Sequence, residues 1–271
     1  MANLQLLPSL QKEIVELVEA KKEKTFDFIG VPFVLYLAHN GAAQYKEKGV
    51  FFEALGHSVH PHFNVFLPST SNEYVNFFRE CLTSVNELKE KISGASVIDC
   101  GSGSGVLSFV CSKLGAKSVL GVDNNENAVK CAQENAENNK ELYSNVQFQL
   151  GNVFPEEKRE PFDLVVCNPP WIPLPSHSLL EEAVFDPQED FLKKFFAQVG
   201  DHLKSDGLVV FLYSNFARKL GLQQFGRVEK YCFENQLQVV QMFTKKASKE
   251  YFDTVKADRT YEIEIYLIKK Q

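Results

Sequence analysis

The residues with the clearest chemical potential form the run Asn168-Pro169-Pro170-Trp171, which follows an apolar segment at 162–167. Proline donates no backbone hydrogen bond, so two prolines in succession end a central strand and make a stiff, extended loop. The Asn168 side chain offers a carbonyl oxygen, and the backbone carbonyl of Pro169 is a second acceptor. Trp171, the only Trp of the chain, adds a flat aromatic face. Two acceptors beside an aromatic face suit a planar group that carries an NH2, such as an amide or a nucleobase amine.

The nitrogen of such a group is a poor nucleophile, because its lone pair is delocalised. Two acceptors that bind its hydrogens favour a tetrahedral nitrogen, and the Trp171 face stabilises growing positive charge by a cation–π interaction. Attack by this nitrogen then depends on orientation and electrostatic positioning, which contribute on the order of 7–11 kcal/mol in favourable cases. We therefore predict that Asn168, Pro169, Pro170 and Trp171 are catalytic, with no metal and no strongly shifted general base.

A glycine-rich run lies between a predicted strand and a predicted helix, and it reads Asp99-Cys100-Gly101-Ser102-Gly103-Ser104-Gly105. Glycine permits positive φ and lets a ligand approach the backbone closely. Open α/β sheets bind ligands at the carboxyl ends of their strands, where this run falls. A plain tight turn is the alternative interpretation. We predict cofactor contacts from Asp99, Gly101, Gly103 and Gly105.

An acidic residue, Asp123, ends the next predicted strand. A carboxylate at a strand tip can accept hydrogen bonds from both hydroxyls of a ribose, as it does in dinucleotide-binding enzymes. The alternative is that Asp123 or Asn124 caps the helix that follows. We predict that both residues contribute to the cofactor site.

The elements that must position these residues alternate along the chain. Predicted strands and helices occupy 96–99, 106–114, 118–122, 125–138, 146–150, 162–167, 190–203, 207–213 and 225–235, and two final strands occupy 237–243 and 261–267. Strands that alternate with helices predict a parallel sheet covered on both faces. The last two strands have no helix between them, so we expect an antiparallel pair at one edge. The predicted fold class is α/β, with a Rossmann-like, seven-stranded, mostly parallel sheet that has an antiparallel edge strand.

The two motifs, in this order, resemble those of the class I S-adenosylmethionine-dependent methyltransferases. The glycine run is similar to motif I of that family, and it has Val106 where a dinucleotide fingerprint requires glycine. Asn-Pro-Pro-Trp is a variant of the Asn-Pro-Pro-Tyr/Phe motif of amino-nitrogen methyltransferases. Residues 94–213 are similar to the release-factor glutamine methyltransferases, as is the segment 64–73. The resemblance implies S-adenosylmethionine as the cofactor.

The same resemblance implies further roles. In this class a polar residue after the third strand lies beside the adenine amino group, and this implies cofactor contacts from Asn152 and its neighbour Val153. The resemblance also implies that Asn168 borders the cofactor. A small N-terminal substrate-recognition region, at 1–93, is expected before a catalytic domain at 94–271. Trp171 replaces the commoner Tyr, and the usual Arg-Pro pair before motif I is absent, so the sequence leaves the substrate open.

Composition narrows the function class. The 271 residues carry a net charge of -6, which disfavours a generic binder of polyanions. The six cysteines include no Cys-x-x-Cys pair, and the start of the sequence lacks a basic and apolar leader. The sequence also has no long apolar run. These features predict a cytoplasmic protein without a membrane span. The triplet His57, His60 and His62 could ligate a metal, but a polar turn is the favoured interpretation, and no metal is expected.

The sequence thus predicts an S-adenosylmethionine-dependent N-methyltransferase that acts on the NH2 of a planar group. A protein glutamine amide ranks ahead of a nucleobase amine in RNA or DNA, so the expected partner is a protein substrate or RNA. Two alternatives come from other classes. One is a non-catalytic methyltransferase-like binding module, and the other is a nucleotide-dependent oxidoreductase, which the replacement of glycine by Val106 disfavours.

Overall fold

A computed structural model describes residues 48–62, 64–67, 73–176, 179–247 and 261–271. The spacing of apolar residues predicts a helix at 9–23, and short aromatic runs separated by turn residues predict irregular short strands at 26–66. The helix lies outside the described residues, and so does much of the segment 26–66. The helical spacing of apolar residues from Val75 to Leu88 predicts a second helix, opened by Ser71 and Asn72. Ser71 and Asn72 also lie outside the described residues.

The described strands and helices follow each other in the predicted alternation. The strands are β1 (Val50–Phe52), β2 (His57–Val59), β3 (Ser96–Cys100), β4 (Ser118–Asp123), β5 (Val146–Leu150), β6 (Phe162–Cys167), β7 (Leu203–Ser214), β8 (Leu237–Lys246) and β9 (Glu262–Lys270). The α-helices are α1 (Glu73–Ser84), α2 (Asn86–Ile92), α3 (Val106–Lys113), α4 (Glu126–Glu137), α5 (Lys140–Tyr143), α6 (Leu179–Glu182), α7 (Asp190–His202), α8 (Phe216–Lys219) and α9 (Arg227–Glu234). A short 3₁₀ turn at Pro187–Glu189 precedes α7.

Seven of these strands form one sheet in the order β5-β4-β3-β6-β7-β9-β8, and β1 pairs with β2 in a separate hairpin. The strands from β5 to β7 are parallel, whereas β9 runs antiparallel to both of its neighbours. The α/β class and the mostly parallel seven-stranded sheet are confirmed.

The antiparallel strand β9 lies one place in from the edge, between β7 and β8. The reason is its apolar character on both faces: Ile265 and Leu267 pack into the core on one side, and Tyr266 and Ile268 pack into the core on the other. A strand that is buried on both faces belongs inside a sheet. The edge position falls to β8, most of whose side chains are exposed.

Each face of the sheet carries its own core. On one face, Val97 of β3 packs in a cluster with Phe78 of α1 and Phe109 of α3. On the other face, Ile98 packs in a cluster with Phe196 of α7. Successive residues of a strand point to opposite faces, so a strand that is buried on both faces, such as β3, contributes side chains to both cores.

The predicted second helix is broken in the structure. Val85, which the spacing of apolar residues placed inside one continuous helix, has an extended backbone and separates α1 from α2. The Thr83 hydroxyl donates hydrogen bonds to the carbonyls of Arg79 and Glu80, at 2.9 and 3.1 Å, near the end of α1. Such side-chain bonds offer an alternative to the helical pattern.

The cysteines and the lengths of the helices test two further expectations from the sequence. All six cysteines are buried and unpaired. Among the described helices, none combines the length and the apolar character that crossing a bilayer requires.

Gly121 in β4 generates a stability prediction. A Cβ atom at this position would overlap the ring of Phe148 and lie 3.0 Å from the Ser102 Cβ. We expect Gly121→Ala to lower the free energy of unfolding by about 1–3 kcal/mol through overpacking. The matched control is Gly200→Ala in α7, where the added Cβ meets nothing within 4 Å, and it should stabilise the protein by about 0.5–1 kcal/mol. Urea denaturation of both variants measures these effects, and equal stabilities would contradict the packing described.

Candidate active site

The register of the parallel strands brings the predicted site residues to one edge of the sheet. Cys100 pairs with Cys167 and with Val122, so the glycine run and Asn168 leave β3 and β6 at the same level. Asp123 ends β4 and pairs with Leu150 at the end of β5, two residues before Asn152. Neighbouring strands lie about 4.8 Å apart, so the loops that follow these strands stand side by side.

The three glycines of the loop after β3 all have positive φ, with values of 75°, 53° and 86° at Gly101, Gly103 and Gly105. A Cβ on Gly105 would lie 2.8 Å from the ring of Phe148, so a larger residue there is excluded by packing as well as by conformation. The amides of Gly101 and Ser102 donate to the Val122 carbonyl at 2.8 and 3.0 Å. The loop is thus tied down onto β4 and presents backbone at the sheet edge.

Asp123 holds the two neighbouring loops together. One carboxylate oxygen accepts the Gly103 N–H at 2.8 Å and the other accepts the Asn125 N–H at 2.9 Å. Burial raises the pKa of Asp123, and these backbone hydrogen bonds oppose that shift. A carboxylate oxygen can accept more than one hydrogen bond, so both oxygens keep capacity for ribose hydroxyls. The helix cap proper is Asn125, whose side chain accepts from the Asn127 N–H at 2.9 Å.

Asp99 lies beneath the glycine loop and is only 1% exposed. Its Oδ2 accepts from the Ser108 hydroxyl at 2.6 Å, while its Oδ1 has no hydrogen-bond partner among the described residues. Burial raises the pKa of Asp99 to about 7. The buried Ser102 hydroxyl likewise lacks a partner within the described part of the chain. Orphaned polar atoms under a glycine cradle fit the polar end of a small cofactor such as S-adenosylmethionine.

The loop after β6 is closed back on itself. The backbone amides of Trp171 and Ile172 both donate to the Val184 carbonyl, at 3.1 and 3.2 Å, and the Asp186 amide donates to the Ile172 carbonyl at 2.8 Å. The Asp186 carboxylate in turn accepts the amides of Phe191 and Leu192 in the first turn of α7. This double anchorage holds the Asn-Pro-Pro-Trp run at the end of its strand.

Asn168 is half-buried and its Oδ1 accepts the indole N–H of Trp171 at 3.2 Å. The Trp171 ring lies edge-to-face with Tyr74 and with Tyr261, each at a centroid distance of 6.3 Å. Pro169 is buried and Pro170 is half-buried. The arrangement sets the Asn168 carboxamide oxygen and the Trp171 ring close together, on either side of the two prolines in the sequence.

The residues after β5 have an unusual backbone. Val153 is buried with a φ of 72°, a region that β-branched residues avoid, and Asn152 is exposed and bridges to Phe154. Strained backbone of this kind clusters at functional sites. The adenine contacts expected of Asn152 and Val153 stay predictions.

Neither the thiols nor the histidines near the site form a reactive group. Burial raises the pKa of Cys100 and of Cys167 well above its ordinary value, so both thiols stay protonated. His57 bonds to the Tyr143 hydroxyl, whereas His62 bonds to Glu134 at 2.7 Å, so the two rings serve different partners. Within the described residues, no group of His, Cys, Asp and Glu could hold a metal ion.

Sequence reasoning missed several neighbours of the site. Ser108 lies in the first turn of α3, and only the buried position of Asp99 reveals its role as a donor. Tyr74 and Tyr261 reach Trp171 from α1 and from the residue before β9, and no local pattern links them. Phe191 lies 3.7 Å from the position of a Cβ on Gly101, because Asp186 holds the start of α7 against the loop.

Comparisons with known proteins find similar methyltransferases. Residues 78–170 match the family model of the ribosomal protein L11 methyltransferase (PrmA). A provisionally named protein N5-glutamine methyltransferase of Methanocaldococcus jannaschii is 33% identical over 130 residues, which are 46% of this chain and 64% of that protein. The release factor glutamine methyltransferase of Fusobacterium nucleatum is 30% identical over 189 residues, which are 65% of this chain and 49% of that protein. The chain therefore spans 64% of the length of the first relative and about half of the length of the second.

A solved methyltransferase from Pyrococcus furiosus superposes with a TM-score of 0.53 over 85% of this chain and 98% of that chain, at 14% identity. At that identity the likeness shows the fold alone. The resemblance to S-adenosylmethionine-dependent methyltransferases is confirmed by the sequence matches together with the shared fold, and S-adenosylmethionine is the cofactor that they support.

The position of Asp123 predicts a binding defect. We expect Asp123→Ala to raise the dissociation constant for S-adenosylmethionine about 10- to 100-fold, because a charged acceptor for the ribose is lost. The glycine loop also loses the hydrogen bond that its Gly103 N–H donates to the Asp123 carboxylate. Isothermal titration calorimetry measures the constant, with Gln241→Ala on the exposed edge strand as the control. Unchanged affinity of Asp123→Ala would contradict the assignment.

The buried carboxyl of Asp99 predicts a pH dependence of stability. The pKa of Asp99 is about 7 in the folded protein, against an ordinary value of 3.8. Between pH 3.8 and about pH 7, folding therefore takes up a proton at this carboxyl. Because of this uptake, Asp99 destabilises the folded protein increasingly as the pH rises. Asp99→Asn keeps an acceptor for Ser108 and carries no charge. We expect the variant to gain stability relative to wild type by at most about 1.4 kcal/mol per pH unit up to pH ~7. Urea unfolding across this range tests it, and a constant difference would contradict it.

Proposed function

We propose that this chain, which has the fold of the class I S-adenosylmethionine-dependent methyltransferases, catalyses methyl transfer to the NH2 nitrogen of a planar group. The substrate class that we propose is a glutamine amide in a protein. A nucleobase amine is the competing outcome that the experiment below must separate from it.

One observation carries this proposal. The glycine loop after β3 and Asn168 after β6 leave adjacent parallel strands at the same register, Cys100 opposite Cys167. A cofactor held over the glycine loop and an acceptor held at Asn168 therefore share one edge of the sheet. Proximity of this kind is the main source of catalysis that the site requires.

Different residues bind the cofactor and the substrate. Asp123 and the loop from Gly101 to Gly105 would hold the cofactor, which supplies an electrophilic methyl group when bound. Asn168 Oδ1 and the Pro169 carbonyl accept the two hydrogens of the substrate NH2, and this concentrates the nitrogen lone pair. Among the described residues none donates a hydrogen bond to the Pro169 carbonyl, which leaves it available for this role.

Support for a protein substrate comes from two sources. Two similar proteins are named as glutamine methyltransferases. The net charge of -6 disfavours unspecific attraction to nucleic acid. Tyr74, which belongs to the region 1–93, contacts the Trp171 ring. This contact supports our proposal that residues 1–93 contribute to substrate recognition and that residues 94–271 carry the catalytic machinery.

The test supplies purified release factor, ribosomal protein L11 and total RNA separately, each with S-adenosylmethionine that carries a radioactive methyl group. We expect label in protein, recovered after hydrolysis as N5-methylglutamine. Label in RNA alone would replace the proposed substrate class, and absence of transfer to any of the three would count against the proposed activity.

In the same assay, Asn168→Ala should lower kcat at least about 100-fold, because an acceptor aimed at the reacting nitrogen is removed. Its affinity for S-adenosylmethionine should stay close to that of wild type, unlike that of Asp123→Ala. Gln241→Ala again serves as the control for loss of an amide. An Asn168→Ala variant that turns over normally would contradict the assignment of Asn168.

A further inference from the structure

The contact between Trp171 and Asn168 assigns the tryptophan a role distinct from that of an aromatic plate. We propose that Trp171 is a positioning residue, whose indole N–H fixes which end of the Asn168 carboxamide faces the substrate. The role in catalysis rests on the proposed function, whereas the orientation of the carboxamide does not.

A carboxamide alone does not choose its orientation. The terminal torsion of Asn is broad and two-fold, and its oxygen and its NH2 group are similar in size. A rotation of 180° would exchange an acceptor for a donor at the same place. Hydrogen-bond partners therefore decide the orientation, and an indole N–H is a donor only. The Trp171 N–H, 3.2 Å from Asn168 Oδ1, requires the oxygen on its side.

This orientation is the one that the reaction needs. The carboxamide oxygen has two lone pairs, so it can accept from Trp171 and still accept from a substrate NH2. In the opposite orientation, the Asn168 NH2 group would face the hydrogens of the substrate, and donors would oppose donors. The tryptophan and the substrate thus favour the same side chain geometry.

The indole is itself held firmly enough to impose this choice. The backbone N–H of Trp171 donates to the Val184 carbonyl at 3.1 Å. Its ring lies edge-to-face with Tyr74 and Tyr261, which come from opposite ends of the described chain. Because Trp171 is half-buried, its bond to Asn168 is partly shielded from water, which strengthens the preference.

Other aromatic residues cannot supply this bond. Phenylalanine has no donor, and the hydroxyl of tyrosine lies at the far end of its ring from the position of the indole nitrogen. A chain with Phe or Tyr at 171 must therefore orient Asn168 by other means.

The single tryptophan permits a sharp kinetic test. Biosynthetic replacement of Trp by β-(3-benzothienyl)alanine changes only position 171 and exchanges the indole N–H for a sulfur atom of similar shape. We expect kcat to fall about tenfold, with KM for the protein substrate and the dissociation constant for S-adenosylmethionine each within about twofold. Wild-type kcat in the replaced protein would overturn the proposal.

The Asn168→Asp variant provides a matched background in which the benzothienyl replacement is repeated. A carboxylate has two equivalent oxygens, so its orientation needs no partner. Although Asn168→Asp itself lowers activity, the further cost of the benzothienyl replacement should shrink to less than about twofold in this background. An undiminished tenfold cost there would show that Trp171 acts through something other than Asn168.

A spectroscopic measurement decides the orientation without any substrate. In the ¹⁵N-labelled protein the indole gives one N–H resonance, which should be shifted downfield and protected from solvent exchange. Asn168→Ala should remove both effects, whereas Gln241→Ala should leave them in place. An indole resonance that is identical in wild type and Asn168→Ala would overturn the proposal. If no substrate is methylated but the resonance responds as expected, the proposed function fails and the orientation stands.

Discussion

The register between β3 and β6 is the constraint on which the rest of the site depends. With Cys100 opposite Cys167, the chain leaves both strands at one level, and the glycine loop meets Asn168 across a single strand spacing. Both cysteines are fully buried, and small apolar side chains suit a position that is packed on both faces. A shift of one residue in either strand would turn each of its side chains from one core to the other, and it would also separate the two loops.

Carboxylate acceptors hold the loops at this edge of the sheet. Asp123 binds the amides of Gly103 and Asn125, and Asp186 binds the first turn of α7. Each carboxylate satisfies backbone donors that would otherwise be orphaned at a loop or a helix start. Asp99 is the exception, because one of its oxygens has no partner among the described residues. The edge is therefore preorganised, and its residual polarity faces the glycine loop.

Local patterns made much of this predictable. The strands at 146–150 and 162–167 coincide with β5 and β6. Alternation of apolar and polar residues in the first, and a short, mostly apolar run in the second, are clear strand signals. The glycine run and Asn168 were placed at strand ends for the same reason. The break at Val85, the insertion of β9 and the meeting of Tyr261 with Trp171 were not predictable. These features depend on competition between side chain and backbone, or on contacts between residues far apart in the sequence.

The insertion of β9 has a consequence for the order of folding. During synthesis β8 emerges before β9, yet its place in the sheet exists only after β9 has paired with β7. Until then β7 presents an unpaired edge, and β8 runs in a direction that would allow it to dock there directly. The nascent chain must avoid this premature pairing, and completion of the sheet waits for contacts between distant segments, which form slowly.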